Sequence, residues 1–303
     1  MKRQFTLSFV LSFTFLSLGF LLLHYGLIGF GISFFVFLPF LLGYILGNAA
    51  IKNISLWGLV LSLIAFFILL LIGGLEGMVC ILMALPLVIV AVALGHGVRH
   101  LFKKTQKDDV IDDPNDDVLK SSLLPLVLFL LFGFAEKELT KNAQQIISVK
   151  TEMTVPYSCL EVYETIKSVD TLIAEKPFLM KLDLPIPQKC ILEKEEVGGL
   201  RTCYFSGGTI TERITELEKA RVLRMDVIDY KLTGRKWLGF KEAIYYFDPV
   251  GQDSCKLTRI TTYTSVLAPR FYWEPLEKIG IEQEHDYVFD NLRRDLVHAY
   301  GQE

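Results

Sequence analysis

The sequence predicts an α-helical transmembrane bundle of four to five spans, followed by an α+β domain in which a curved antiparallel sheet wraps a long C-terminal helix. Three observations carry this. Between Phe5 and Val98 the only charged side chains are Lys52 and Glu76, whereas nearly all other Asp, Glu, Lys and Arg of the 303-residue chain lie beyond Arg99. From about residue 147 the hydrophobic period changes to the alternation of strands. The chain then closes on a segment whose apolar residues recur every three or four positions.

The first part holds four apolar runs, 5–23, 27–47, 54–73 and 77–98. Each is long enough to cross a ~30 Å hydrocarbon layer at about 1.5 Å of rise per residue. Together they define a four-span bundle over residues 1–104. The start, Met1-Lys2-Arg3 before an apolar run, is similar to a secretory signal, but the run is long, no A-x-A site follows it and three more runs come after. Retention as a first span is therefore expected. Residues 105–120 form a polar loop with Asp108, Asp109, Asp112, Asp113, Asp116 and Asp117 around Pro114. It lacks the turn glycine and closing glutamate of an EF-hand, so it reads as solvated rather than calcium-binding.

A fifth apolar run at 121–135, within a short helix expected over 121–136, contains Pro125 and reaches only about 22 Å. That length fits a short span or an interfacial or re-entrant piece. With the amino terminus in the cytoplasm, the inside segments hold Lys2, Arg3, Lys52, Arg99, Lys103, Lys104, Lys107 and Lys120, and the loops on the other side hold no Lys or Arg. Five crossings then place the C-terminal domain outside the cytoplasm, and four keep it inside; five is the expectation. His24, Lys52, Glu76 and His96 all fall near run ends, so the bundle reads as an anchor rather than a transporter. The expected location is a bacterial cytoplasmic (inner) membrane, with the bilayer as one partner.

After a linker at 137–147, residues 148–155 alternate as a strand. Ser158 is a plausible N-cap, with Glu161 at the capping-box position, for a helix reaching about Val169. Six strand-like runs follow at 188–195, 200–206, 209–217, 221–229, 241–248 and 254–266, joined mostly by glycine-bearing or two-residue turns. Short consecutive connections imply an antiparallel meander. The final helix, about 269–300, carries a stripe of Ile281, His285, Val288, Phe289, Leu292, Leu296 and Ala299 that must lie against one face of the sheet.

That order over residues 148–303 resembles the helix-grip superfamily called START-like or SRPBCC, of the polyketide cyclase/dehydrase and lipid transport type, and most of all its bacterial membrane-attached members. The residues carrying the resemblance are Arg201-Thr202-Cys203-Tyr204-Phe205-Ser206-Gly207-Gly208, Thr211-Glu212-Arg213-Ile214, Thr262-Tyr263-Thr264-Ser265 running into Pro269-Arg270-Phe271-Tyr272-Trp273, and His285. The resemblance implies a hydrophobic cavity between sheet and terminal helix that holds a lipid, sterol-like or aromatic molecule. It speaks to fold more than to activity, since one superfold hosts binders, carriers and enzymes.

Several residues are candidates for that cavity. Alternation with Ile210 and Ile214 points Glu212 inward, where it serves as a ligand anchor, a general base, or a structural pair with an arginine. His285 shares the helix stripe and is either a satisfied core histidine or, if it meets Glu212, half of an acid/base pair. Tyr272 and Trp273 line the cavity mouth, sit at a membrane interface or simply pack. Tyr204, Tyr230, Tyr245 and Tyr263 are candidates for cavity hydroxyls. Cys190 and Cys203 flank the 197–199 turn at nearly symmetric distances and form either a disulfide, which needs an oxidising compartment, or two buried thiols.

Cys80, Cys159 and Cys255 show no C-x-x-C spacing, and no zinc site is indicated. With a net charge of -3 and no basic, aromatic-rich run, no nucleic-acid partner is expected. No cofactor is expected, because no P-loop, Rossmann fingerprint or H-E-x-x-H is present. Three functions remain: a membrane-anchored module that binds a hydrophobic small molecule or lipid for carriage or sensing, which is the expectation; a cyclase or dehydratase using Glu212 and His285; or a structural membrane protein whose cavity is filled by its own side chains.

Overall fold

The computed structural model describes residues 2–47, 52–105, 114–140, 145–232, 237–251 and 253–301, with backbone alone at 52–54, 102–105 and 114–123. The aspartates of the acidic loop at 108–113, and the side chains of Asp116 and Asp117, lie outside the described residues. The chain divides into two compact units, Met1–Gln144 with Val266–Tyr272, and Gln145–Ser265 with Trp273–Glu303.

The first unit contains α1 (Lys2–His24), α2 (Ser33–Leu46), α3 (Lys52–Ile72), α4 (Met78–Thr105) and α5 (Pro114–Thr140). Among the described residues, three helices are long and apolar enough to cross a membrane: α1, Ser55–Ile72 of α3 and Met78–Leu101 of α4. The second apolar run departs from the four-span expectation. Its helix, π-wound over Ser33–Phe37, rises only about 21 Å. The cause lies in residues 26–31, where Gly26 adopts φ 67° and the backbone turns. Glu136 of α5 then fixes the helix start: its two carboxylate oxygens accept from the Ile32 N–H at 2.7 Å and the Ser33 N–H at 2.9 Å. A carboxylate there satisfies donors that a helix N-terminus otherwise leaves unpaired. The fifth run also differs, because α5 continues through Pro125 and extends past both ends of 121–135.

Within this unit α1 lies against α3 and α2 against α4. Glycine allows the closer pair: a Cβ on Gly43 would collide with the Val92 carbonyl, and one on Gly95 with the Phe40 carbonyl. Small residues that let helix backbones touch are the usual means of association among apolar helices. The bundle core gathers Phe15, Phe20, Leu42, Leu59, Phe66 and Phe129. Ile64, Ile68, Ile89, Leu94 and Leu131 are exposed. Apolar side chains both inside and outside the bundle suit a hydrocarbon solvent.

The second unit contains β1 (Gln145–Val155), α6 (Cys159–Ile166), α7 (Phe178–Lys181), β2 (Pro187–Leu192), β3 (Leu200–Phe205), β4 (Gly208–Glu218), β5 (Val222–Leu232), β6 (Leu238–Pro249) and β7 (Cys255–Ser265). The last helix, α8 (Arg270–Tyr300), enters this unit at Trp273. The strands form one antiparallel sheet in the order β1-β7-β6-β5-β4-β3-β2. The expected meander is β2 to β7, and β1 adds to its far edge, paired from Gln145↔Ser265 to Val155↔Cys255. Register breaks in β2, β4 and β6 add twist, and the sheet curls.

The capping box forms as expected, with the Ser158 side chain accepting from Glu161 N–H and Glu161 reaching back to Ser158. Yet α6 stops at Ile166, because Val169 is drawn into a bridge with Cys190 and its N–H donates to the Cys190 carbonyl at 2.7 Å. The helical stripe lies in the hollow: Val288, Phe289, Leu292 and Leu296 pack with Met153, Met225, Phe247 and Leu257 of the sheet and with Val162 and Ile166 of α6. Ala299 is the exception and is exposed, beyond the reach of the sheet.

The glycine contacts lead to a measurable expectation. Gly43→Leu or Gly95→Leu forces α2 and α4 apart and destabilises the detergent-solubilised chain by about 1–3 kcal/mol, read as a lowered unfolding temperature. Gly97→Ala, whose Cβ meets nothing within 4 Å, leaves that temperature nearly unchanged.

Candidate functional site

A cavity of about 70 Å³ lies inside the second unit, walled by the sheet, by α8 and by the segment after α6. Most of its wall is apolar, but strand alternation also delivers charge into it. On β3, Arg201 and Cys203 face inward; on β4, Ile210, Glu212 and Ile214; on β7, Leu257, Arg259 and Thr261. Register then pairs these residues across neighbouring strands. Arg201 is opposite Glu212, and Tyr245 is opposite Arg259. The curl brings the two pairs together, with the Arg201 guanidinium 5.7 Å and the Arg259 guanidinium 5.5 Å from the centre of the Tyr245 ring.

Both arginines are deeply buried, at 3% and 9% exposure. Arg201 Nη1 donates to Glu212 Oε2 at 3.1 Å, and Nη2 donates to the Ile166 carbonyl at 3.3 Å. Arg259 Nη2 lies 3.1 Å from Oε1 and 2.8 Å from Oε2 of Glu284 on α8. Burial works against both charges, but Tyr245 and Glu212 around Arg201, and Glu284 and Tyr245 around Arg259, outweigh it and hold both guanidiniums above the ordinary arginine value. Both therefore stay cationic. Three of their donors, Arg201 Nε and Arg259 Nε and Nη1, have no acceptor among the described residues.

His285 is completely buried. Its Nδ1 lies 2.9 Å from the Thr151 hydroxyl and its Nε2 2.7 Å from the Thr261 hydroxyl. Burial first, and the Arg259 charge second, push its pKa down to about 2. A neutral imidazole held on both nitrogens does not carry a proton to a substrate near neutral pH. Glu212 is committed to Arg201, and among the described residues it shares no hydrogen bond with His285, so the acid/base pair considered from sequence is not assembled here.

Of the other candidates, Tyr245 lines the cavity. Tyr204 does not, since it lies on the outer face of β3 with Lys189 4.8 Å from its ring. The Tyr230 hydroxyl is spent on the Leu238 carbonyl. Tyr263 is buried farther along β7, where its hydroxyl donates to Glu277 at 3.3 Å. Tyr272 belongs to the first unit and donates to the Met83 carbonyl, whereas Trp273 is a buried packing residue of the second. Cys190 and Cys203 are register partners joined by a disulfide on the cavity wall. A second disulfide, Cys159–Cys255, ties the start of α6 to the start of β7 and was not foreseen.

The segment over the cavity is held by α8. Asn291 Oδ1 accepts from the Ile173 and Ala174 N–H groups at 2.7 and 2.8 Å, and the Tyr287 hydroxyl donates to the Leu172 carbonyl at 3.0 Å. Sequence reasoning passed over Arg201, Arg259 and Glu284. The first two could have been found by the same alternation that exposed Glu212.

A curled antiparallel sheet closed on a C-terminal helix is the helix-grip arrangement of the START-like proteins, and solved structures of that kind are similar to this chain. A norcoclaurine synthase from Thalictrum flavum, in complex with dopamine and hydroxybenzaldehyde, is 15% identical, with 54% of this chain and 94% of that one covered and a TM-score of 0.36. A START superfamily protein from Mycobacterium smegmatis is 11% identical, with coverage of 50% and 97% and a TM-score of 0.38. The ZhuI aromatase/cyclase from Streptomyces sp. R1128 is 16% identical, with coverage of 52% and 100% and a TM-score of 0.35. Similarity this low carries no argument about chemistry. No family model and no curated protein matches the chain.

Two expectations follow. Arg201→Met strands the Glu212 charge and costs about 3–5 kcal/mol in equilibrium urea unfolding, while Arg201→Met combined with Glu212→Leu recovers most of that loss. The second concerns pH. With a folded-state pKa near 2 against an ordinary 6.5, His285 is protonated more readily in the unfolded chain. Its contribution is therefore complete above about pH 6.5 and is lost as pH falls toward 2, at up to about 1.4 kcal/mol per pH unit. His285→Gln, which can still bond both threonines, flattens the stability profile below about pH 6.5.

Proposed function

We propose that the chain is a membrane-anchored binding module whose helix-grip domain captures a hydrophobic small molecule or lipid in the hollow between sheet and α8, for carriage or sensing. The observation that carries this reading is the cavity itself, apolar over most of its wall yet furnished with buried donors that the protein leaves unused. A few convergent polar groups in an otherwise apolar recess are the usual make-up of a small-molecule site. Tethering adds a physical advantage, since a domain held beside a bilayer samples the molecules that partition into it.

The bundle is the anchor in this reading. Its lipid-facing surface is the exposed apolar one, and the Lys/Arg distribution supports an amino-terminal side in the cytoplasm of a bacterial inner membrane. Two disulfides in the second unit favour placing that domain outside the cytoplasm, where thiols are oxidised.

One observation favours a second reading. A cavity of about 70 Å³ is well below the ~300 Å³ at which ligand sites begin, as a structural domain filled by its own side chains would show. Capture therefore requires the hollow to widen, and the segment at 169–186 that α8 holds over it is the part to move.

Native mass spectrometry of the detergent-extracted full chain separates the two readings. Capture predicts a co-purifying apolar compound lost on Ala243→Trp, which fills the cavity; a bare chain in every preparation supports the structural reading instead. Sidedness is read by alkylating denatured chain from intact cells before reduction. Only Cys80 should react, and five reactive thiols would contradict export.

A further inference from the structure

Three buried donors, Arg201 Nε and Arg259 Nε and Nη1, have no acceptor among the described residues, and the charge balance around them limits what can take them. Two cations and three carboxylates line the cavity: Arg201 and Arg259, with Glu212, Glu242 and Glu284. Glu212 and Glu284 each hold one of these arginines, and Glu242 lies 3.5 Å from Arg224, which is outside the lining. Each charge in the recess thus has an opposite charge in reach, although Glu242 shares Arg224 with Glu216, 3.2 Å from it, so the balance leans negative. A carboxylate or phosphate entering here would bring an unmatched charge into a buried setting, where desolvation costs several kcal/mol. A cation would find both inner carboxylates occupied. What the recess lacks is an acceptor, because an unsatisfied buried donor is costly and a hydrogen bond from a charged donor is among the stronger ones.

We infer that the ligand is an apolar molecule bearing an uncharged carbonyl oxygen, as in a ketone or ester, which accepts from the free N–H groups of Arg259 and Arg201 while the apolar remainder lies against Ile210, Val227, Ile281 and Val288. This rests on the ligand-capture reading and names the chemical class that reading leaves open. The Tyr245 ring lies beside both guanidiniums, 5.7 and 5.5 Å from them, and attracts both cations to one side of the recess. Arg259 is the more available of the two, with two unpaired nitrogens against one.

The test uses the full chain in nanodiscs, dialysed against three probes of matched size, with empty nanodiscs subtracted. The probes are 2-octanone, its acceptor-free isostere 2-methyl-1-octene, and octanoate. The inference predicts that 2-octanone binds about tenfold tighter than the alkene, the difference one charge-assisted hydrogen bond makes. Octanoate should bind more weakly than the ketone. In Arg259→Gln with Glu284→Gln, which removes both charges together, the ketone-to-alkene ratio should fall toward one.

Equal binding of ketone and alkene by the unaltered chain overturns the carbonyl inference and leaves ligand capture standing. Octanoate as the tightest probe overturns it in favour of an anionic ligand. Binding of none of the three removes the capture reading and this inference with it. The comparison of probes on the unaltered chain decides the matter even if the double variant fails to fold.

Discussion

Two guanidinium groups that cannot shed their charge sit in the apolar hollow of a curled sheet, and the arrangement of the second unit follows from keeping them paired. An arginine on an inward strand position needs a carboxylate within reach, or its burial is prohibitive. Arg201 finds Glu212 directly across the β3–β4 ladder. Arg259 has no acidic register partner and instead draws on Glu284 of α8. That pair therefore helps to set the rotation of the helix as well as neutralising a charge. With Glu284 turned to β7, the next residue, His285, falls between Thr151 and Thr261, where burial first and the positive neighbour second keep its imidazole neutral. One electrostatic requirement thus joins the sheet, the helix and the histidine.

The same requirement explains why the site was only half legible in the sequence. Alternation on β4 points Glu212 inward, and the stripe on α8 points Ile281, His285 and Val288 inward; both patterns are local and can be read off the chain. The meander is legible for the same reason, through its turn glycines and short connections. What depends on long-range register is not legible. That the curl brings Arg201 of β3 to the Tyr245 ring of β6, beside Arg259, joins strands with two others between them and cannot be read from local alternation. The tyrosines show the converse error, because residue type alone cannot tell Tyr245, which lines the cavity, from Tyr204, which faces outward three strands away.

In the first unit the limit is of another kind. Hydropathy marks apolar runs but not where a helix begins within one. The run at 27–47 is apolar throughout, yet its helix starts only at Ser33, where Glu136, more than a hundred positions away, takes the first amides. Glu136 marks the end of the fifth run in the sequence, and its role as a cap emerges only from tertiary structure. Gly43 and Gly95 are similar cases: each reads as a neutral apolar position, and their use in bringing α2 against α4 is a property of the pair.

Arg201 and Arg259 are buried, paired through one nitrogen each to a carboxylate, and still hold free N–H groups beside Tyr245. Arginine-selective ¹⁵N–¹H spectroscopy of the full chain in nanodiscs observes those groups directly. The account predicts two strongly protected Nε–H signals, assigned by substitution of each arginine, both of which shift when 2-octanone is added. Fast solvent exchange of the Arg201 and Arg259 signals, or a spectrum that does not respond to the ketone, would contradict it.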